Sequence, residues 1–126
     1  MDASKFSVTV TSSSGSSETV EKFDTVNVHY HGTLLNGDVF DSSYDRGQPL
    51  KFKVGAGRVI KCWDQGLVGL NVGDKANLVC PPDYAYGNRD MGKIKPNMPL
   101  LFAVEVVSIA QKHKPTEPPK EEKKTE

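Results

Sequence analysis

Cysteine, net charge and long apolar runs are all scarce in this chain, and each shortage removes a class of function. Among 126 residues there are two cysteines, Cys62 and Cys80, and no C-x-x-C motif. Neither a disulfide framework nor a zinc knuckle is expected from so few, so they read as two buried or half-buried free thiols. Sixteen basic residues meet sixteen acidic ones, for a formal net charge of zero. A general electrostatic grip on nucleic acid or on an anionic membrane is thereby excluded, and a partner has to be recognised by shape and local chemistry. No apolar stretch approaches the ~20 residues of a membrane span. The N-terminal MDASKFSVTV has neither the basic region nor the apolar core of a secretory leader. A soluble intracellular protein of one domain is the expectation.

The described shortages leave a chain patterned mostly with period two. Leu50-Lys51-Phe52-Lys53-Val54 alternates apolar and charged residues, as a strand with one wet face does. Val26, Val28 and Tyr30 share one parity in TVNVHYHG, and Ala76, Leu78 and Cys80 form a third such set. Phe6, Val8 and Val10 suggest an N-terminal strand that ends at the turn SSSGSS. Leu100 to Ile109 is apolar at nearly every position, which predicts a central strand covered on both faces. Asn36-Gly37-Asp38 is a hairpin signal. Only Ile60, Trp63 and Leu67 have helical spacing, over about two turns. The predicted fold is α+β: an antiparallel sheet of about five strands wrapped around one short helix, with Trp63 pointing from helix to sheet. Residues 1–110 form that domain. From Gln111 to Glu126 no aliphatic or aromatic side chain occurs, so 111–126 is predicted to be a disordered tail rich in Lys, Glu and Pro.

Candidate chemistry is sparse. Gly55-x-Gly57 lacks the third glycine and the long helix of a dinucleotide loop. His29 and His31 share a strand face but lack further ligands, and are read as solvent-facing residues. No nucleophile motif is present, and no metal or cofactor is called for. What is concentrated is aromatic: Tyr30, Phe40, Phe52, Trp63, Tyr84, Tyr86 and Phe102 come from at least five segments. They could be plain core packing or the walls of a concave apolar pocket. Asp41, Arg46 and the hydroxyls of Tyr30 and Tyr86 are the polar groups near them in sequence.

V-H-Y-x-G at 28–32, V-F-D-S-S at 39–43, D-R-G at 45–47, V-I-K-x-W at 59–63, V-G-D at 72–74, P-D-Y-A-Y-G at 82–87 and L-x-F-x-V-E-V at 100–106 stand in order. Together they resemble the FKBP-type peptidyl-prolyl isomerases, in particular their small cytosolic single-domain members, over roughly residues 5 to 110. The resemblance implies a monomeric, cytoplasmic isomerase that turns Xaa-Pro bonds in peptides and folding proteins. Trp63 is implied as the pocket floor, with Tyr30, Phe40, Val59, Ile60, Tyr86 and Phe102 as walls and Leu50 where many members carry Phe. The Ile60 amide and the Tyr86 hydroxyl are implied donors to ligand carbonyls, Asp41 the pocket carboxylate, Arg46 its ion-pair partner and Ile94 a further ligand contact. Implied ligands are proline peptides and macrocycles of the tacrolimus and rapamycin type, with calcineurin as a partner of the drug-bound form. A regulatory binding module and a peptide chaperone remain the other readings of such a domain. Two positions depart from the family pattern: Cys62 replaces a common glycine, and Lys93 and Lys95 flank Ile94 in a loop that is usually apolar.

Overall fold

The computed structural model describes residues 4–113. Among these, six strands form one antiparallel sheet: β1 (Ser7–Ser12), β2 (Thr25–Thr33), β3 (Val39–Ser42), β4 (Leu50–Lys53), β5 (Lys75–Cys80) and β6 (Leu100–Gln111). The order across the sheet is β1-β5-β6-β2-β3, and β4 pairs with the other end of β2, opposite Thr25–Val28. Two short helices, α1 (Ser43–Arg46) and α2 (Lys61–Gly66), and a 3-10 turn at Pro82–Tyr84 complete the described elements.

Alternation decides which face is wet. Val26, Val28 and Tyr30 of β2, Phe52 of β4, Ala76, Leu78 and Cys80 of β5 and Leu100, Phe102, Val104 and Val106 of β6 are all buried. They lie on the concave side, where Trp63 and Leu67 from the α2 segment meet them. The expectation for β6 is corrected here: the strand is central, between β5 and β2, yet only one of its faces is covered. Ala103 is exposed and Val107 is 40% exposed, because no second layer of the described residues lies behind the sheet.

The β2–β3 hairpin turns where Asn36-Gly37 predicts it. Gly37 has φ 94°, a left-handed backbone that glycine adopts without strain, and Asn36 Oδ1 accepts from the Asp38 amide at 2.9 Å. The sixth strand, β3, and the one-turn helix α1 were absent from the sequence reading, being four residues each. VFDS lacks the apolar-charged alternation that marks the equally short β4, and one turn of helix is too short for a helical period to show.

The two cysteines are a second correction. Cys62 of α2 and Cys80 at the end of β5 form a disulfide, their Cα atoms 5.6 Å apart. A helix laid across the strand brings them within bridging distance, a juxtaposition that a separation of 18 positions in the sequence does not reveal. At the other end of the sheet Gln111 closes β6. Beyond it, Lys112 Nζ and the His113 amide both donate to the buried Asp24 carboxylate, each at 2.7 Å. Residues 114–126 of the expected tail lie outside the described residues.

Candidate ligand pocket

The open edge between α2, β2 and β3 holds a cavity of about 190 Å3, lined by Tyr30, Phe40, Asp41, Leu50, Arg58, Val59, Ile60, Trp63, Tyr86 and Phe102. Its base is an aromatic cage. Trp63 meets Tyr30 edge-on at 4.8 Å and Phe102 at 5.2 Å between ring centroids, and Phe40 meets Phe102 at 5.5 Å. Such edge-to-face pairs fix ring orientations as well as burying area. Trp63 is 4% exposed, and its Nε1 has no hydrogen-bond partner among the described residues.

The cage has its shape because a glycine lets the rings close. A Cβ on Gly32 of β2 would stand 2.7 Å from Phe40 Cζ and 2.9 Å from Phe102 Cε1. The sequence reading passed over Gly32, although a glycine inside a strand is a sign of close approach. It also passed over Asp64. Asp64 is half-buried, and its two carboxylate oxygens accept from the amides of Gly55 at 2.8 Å and Gly57 at 3.0 Å. This ties the turn that precedes Val59 and Ile60 to α2, and so sets one wall against the floor.

Polar groups gather on one side. The Tyr30 hydroxyl donates to Asp41 Oδ2 at 2.6 Å, Arg46 Nη2 donates to the Tyr30 oxygen at 2.6 Å, and Arg46 Nη1 donates to Asp41 Oδ1 at 2.7 Å. Burial works against ionisation of Asp41, but the hydrogen bonds from Tyr30 and Arg46 outweigh it and hold the carboxyl below its ordinary range. Burial, reinforced by the Asp41 carboxylate, pushes the Tyr30 phenol up. The Arg46–Asp41 pair is half exposed, so its value lies in geometry more than in energy. Behind it, buried Ser43 Oγ accepts from the Tyr30 amide at 2.7 Å and lies 2.8 Å from His29 Nδ1. His29 is thus engaged within the fold, stacked on Tyr44.

On the opposite side, Tyr86 lines the cavity with its phenol raised by burial and by the Asp41 charge. Neither its hydroxyl nor the Ile60 amide has a hydrogen-bond partner among the described residues. Both are donors beside an apolar cavity, the arrangement of a site that orients a ligand by a few polar groups. Of the eleven residues expected at the site, nine line the cavity. Arg46 acts from behind Asp41 and Tyr30, and Ile94 is buried in the core outside the lining. Arg58 lines the cavity without having been expected there.

Residues 16–107 match the model of the FKBP-type peptidyl-prolyl cis-trans isomerase domain. The chain belongs to that family. Its similarity to an FK506-binding protein 2 of Aspergillus fumigatus is 56% identity over 89 residues, 70% of this chain and 66% of the relative's length. An FK506-binding protein 1 of Rhizopus delemar is 54% identical over 90 residues, 71% of this chain and 83% of that one. Among solved structures, that of AtFKBP13 superposes with a TM-score of 0.75 at 38% identity, covering 83% of this chain and 93% of the other. The family fold is the antiparallel half-barrel with a short helix in its concavity, which is what the six strands and α2 build.

Proposed function

We propose that this family member is an active peptidyl-prolyl cis-trans isomerase whose catalytic surface is the Trp63 cavity. The observation that carries the reading is an apolar aromatic cage of about 190 Å3 with two unpaired donors, the Ile60 amide and the Tyr86 hydroxyl, at its rim. Rotation about an Xaa-Pro bond breaks no covalent bond but surrenders amide resonance, a barrier of ~18–20 kcal/mol. No nucleophile is required. The planar ground state is charge-separated and the twisted transition state is less so, so a dry apolar site destabilises the former more than the latter. A reduction of about 5.5 kcal/mol corresponds to about 10⁴-fold. In this reading Trp63 underlies the proline ring while Phe40, Tyr30 and Phe102 hold it. Ile60 and Tyr86 fix the flanking backbone, leaving the preceding carbonyl free to turn. Asp41 orders the wall: its two oxygens are engaged by Tyr30 and Arg46.

The names of the relatives support a second use of the cavity, binding of FK506; rapamycin as a further ligand and a monomeric protein belong to the same proposed reading. In the loop that a bound macrocycle would adjoin, Lys93 Nζ donates to the Val39 carbonyl at 2.9 Å and Ile94 is buried. A cationic rim replaces the apolar one that the family offers to calcineurin, so inhibition of calcineurin by the drug-bound protein is expected to be weak. The Cys62–Cys80 bond supports work in an oxidising compartment, where the sequence alone suggested the cytoplasm.

NMR exchange of an Ala-Leu-Pro-Phe peptide, with rapamycin as blocker, tests the isomerase reading. Wild-type protein is expected to accelerate exchange and rapamycin to abolish it. Trp63→Phe, which keeps an aromatic floor, retains part of the rate, and Trp63→Ala loses at least about tenfold. Full activity in a folded Trp63→Ala protein would sink the assignment.

A further inference from the structure

Beside the proline cavity lies a second, wider groove of about 640 Å3 that shares Arg58, Val59, Ile60 and Tyr86 with it. The smaller cavity has room for little beyond a prolyl ring, so the residues flanking the proline of a bound peptide must lie outside it. An extended chain advances ~3.3–3.6 Å per residue, which brings residues one to three positions from the proline into the shared groove.

The groove is charged with one sign in excess. Arg58, Lys61 and Arg89 line it, against the single carboxylate of Asp83. The excess is local, since the chain as a whole carries sixteen charges of each sign. Two of these cations sit on anchored backbone. The Arg89 amide donates to the Tyr86 carbonyl at 3.1 Å, and the Gly87 amide to the Pro82 carbonyl at 2.8 Å, so Arg89 rides on the loop that carries the pocket tyrosine. Lys61 opens α2 two residues before Trp63, and its ammonium stands 5.3 Å from the ring centroid of Tyr84, which lies between the groove residues Asp83 and Ala85. We infer that this groove is a subsite for an acidic side chain flanking the substrate proline, and that Lys61 and Arg89 are its specificity-determining residues. The inference rests on the isomerase reading for the pose of the peptide, but its electrostatics can be tested apart from turnover.

The test is a series of proline peptides with Glu or Gln at each of the three positions before and the three positions after the proline. Affinity by fluorescence anisotropy and exchange by NMR are both measured, at low and at high salt. On one side of the proline, Glu is expected to bind about 3- to 10-fold more tightly than Gln at low salt, the gain fading as salt screens exposed charges. Lys61→Gln/Arg89→Gln is expected to abolish that gain and leave the all-neutral peptide unchanged. A Glu preference at no position, or one that survives the double substitution, overturns the subsite. Peptides that bind with the Glu preference but are not turned over would leave the subsite standing and remove the isomerase reading instead.

Discussion

Tyr86 and Gly32 show how single residues make the pocket, one through a donor and the other through the absence of a side chain. The Tyr86 hydroxyl is a neutral donor with no partner among the described residues, and a neutral hydrogen bond is worth ~0.5–1.5 kcal/mol. Tyr86→Phe keeps the ring, so peptide affinity is expected to fall by about 2- to 10-fold with stability unchanged, as read by anisotropy and by thermal melting. Gly32→Ala has the opposite profile. The added methyl must displace the Phe40 and Phe102 rings that stand 2.7 and 2.9 Å from it, and the rings can move only into the cavity or outward. The variant is expected to fold with a stability loss of about 1–3 kcal/mol and to bind rapamycin at least tenfold more weakly. A titration with macrocycle affinity intact would show that the cage does not depend on that glycine. Gly32 sits among β-branched and aromatic residues of β2, where a glycine is out of place, and that was the signal available in the sequence.

At the scale of elements, two ties hold short segments that propensity alone would not. The helix α2 has six residues and no side-chain N-cap, far below the ~12–15 residues at which an isolated helix becomes marginally stable. It persists because Trp63 and Leu67 are buried, because Asp64 holds the preceding turn, and because Cys62 is bonded to β5. Closing a loop of 18 residues is worth about 3 kcal/mol on the chain-entropy account. Cys62→Ala/Cys80→Ala is expected to lower unfolding stability by about that amount in urea, and reductant to lower the wild type but not the variant. Equal midpoints for the two proteins without reductant would count against the bond. Asp24 is the second tie. Its fully buried carboxylate takes Lys112 Nζ, the His113 amide and the Glu21 amide, which fixes the end of β6 to the start of β2. Burial opposes the charge, but these donors prevail, and the carboxyl is held below its ordinary value of 3.8. A depressed carboxyl contributes stability that is complete above its unfolded pKa and lost as pH falls through the folded one. Wild-type stability is therefore expected to drop on acidification below about pH 4, and Asp24→Asn to be weaker at neutral pH with a shallower acid limb.

Across the described residues the molecule is a single half-barrel with one covered face, and filling its cavity adds to its stability. A ligand that binds only the folded state adds ~2.7 kcal/mol at a hundredfold excess over Kd, so rapamycin is expected to raise the melting temperature by several degrees and Trp63→Ala to remove the rise. How far this architecture was legible differs by kind of feature. Sequence by itself determined the buried faces of β2, β4 and β5, since alternation along a strand is a local property that one covered face imposes. It also determined the hairpin at Gly37 and Trp63 on a short helix, because glycine backbone freedom and helical spacing act within a few residues. Family motifs brought Tyr30, Phe40, Asp41, Tyr86 and Phe102 to one site before their distances were known. Only the tertiary structure decided the rest. The β6 run is apolar on both parities, and whether a second layer covers it depends on elements elsewhere in the chain. The Cys62–Cys80 bond depends on how α2 crosses β5, and the Tyr30–Asp41–Arg46 triangle on a cross-strand register with a bulge. The cationic groove joins Lys61 of α2 to Arg89 of a loop 28 residues further on, two charges that are offset in the composition by acidic residues elsewhere and come together only when the chain is folded.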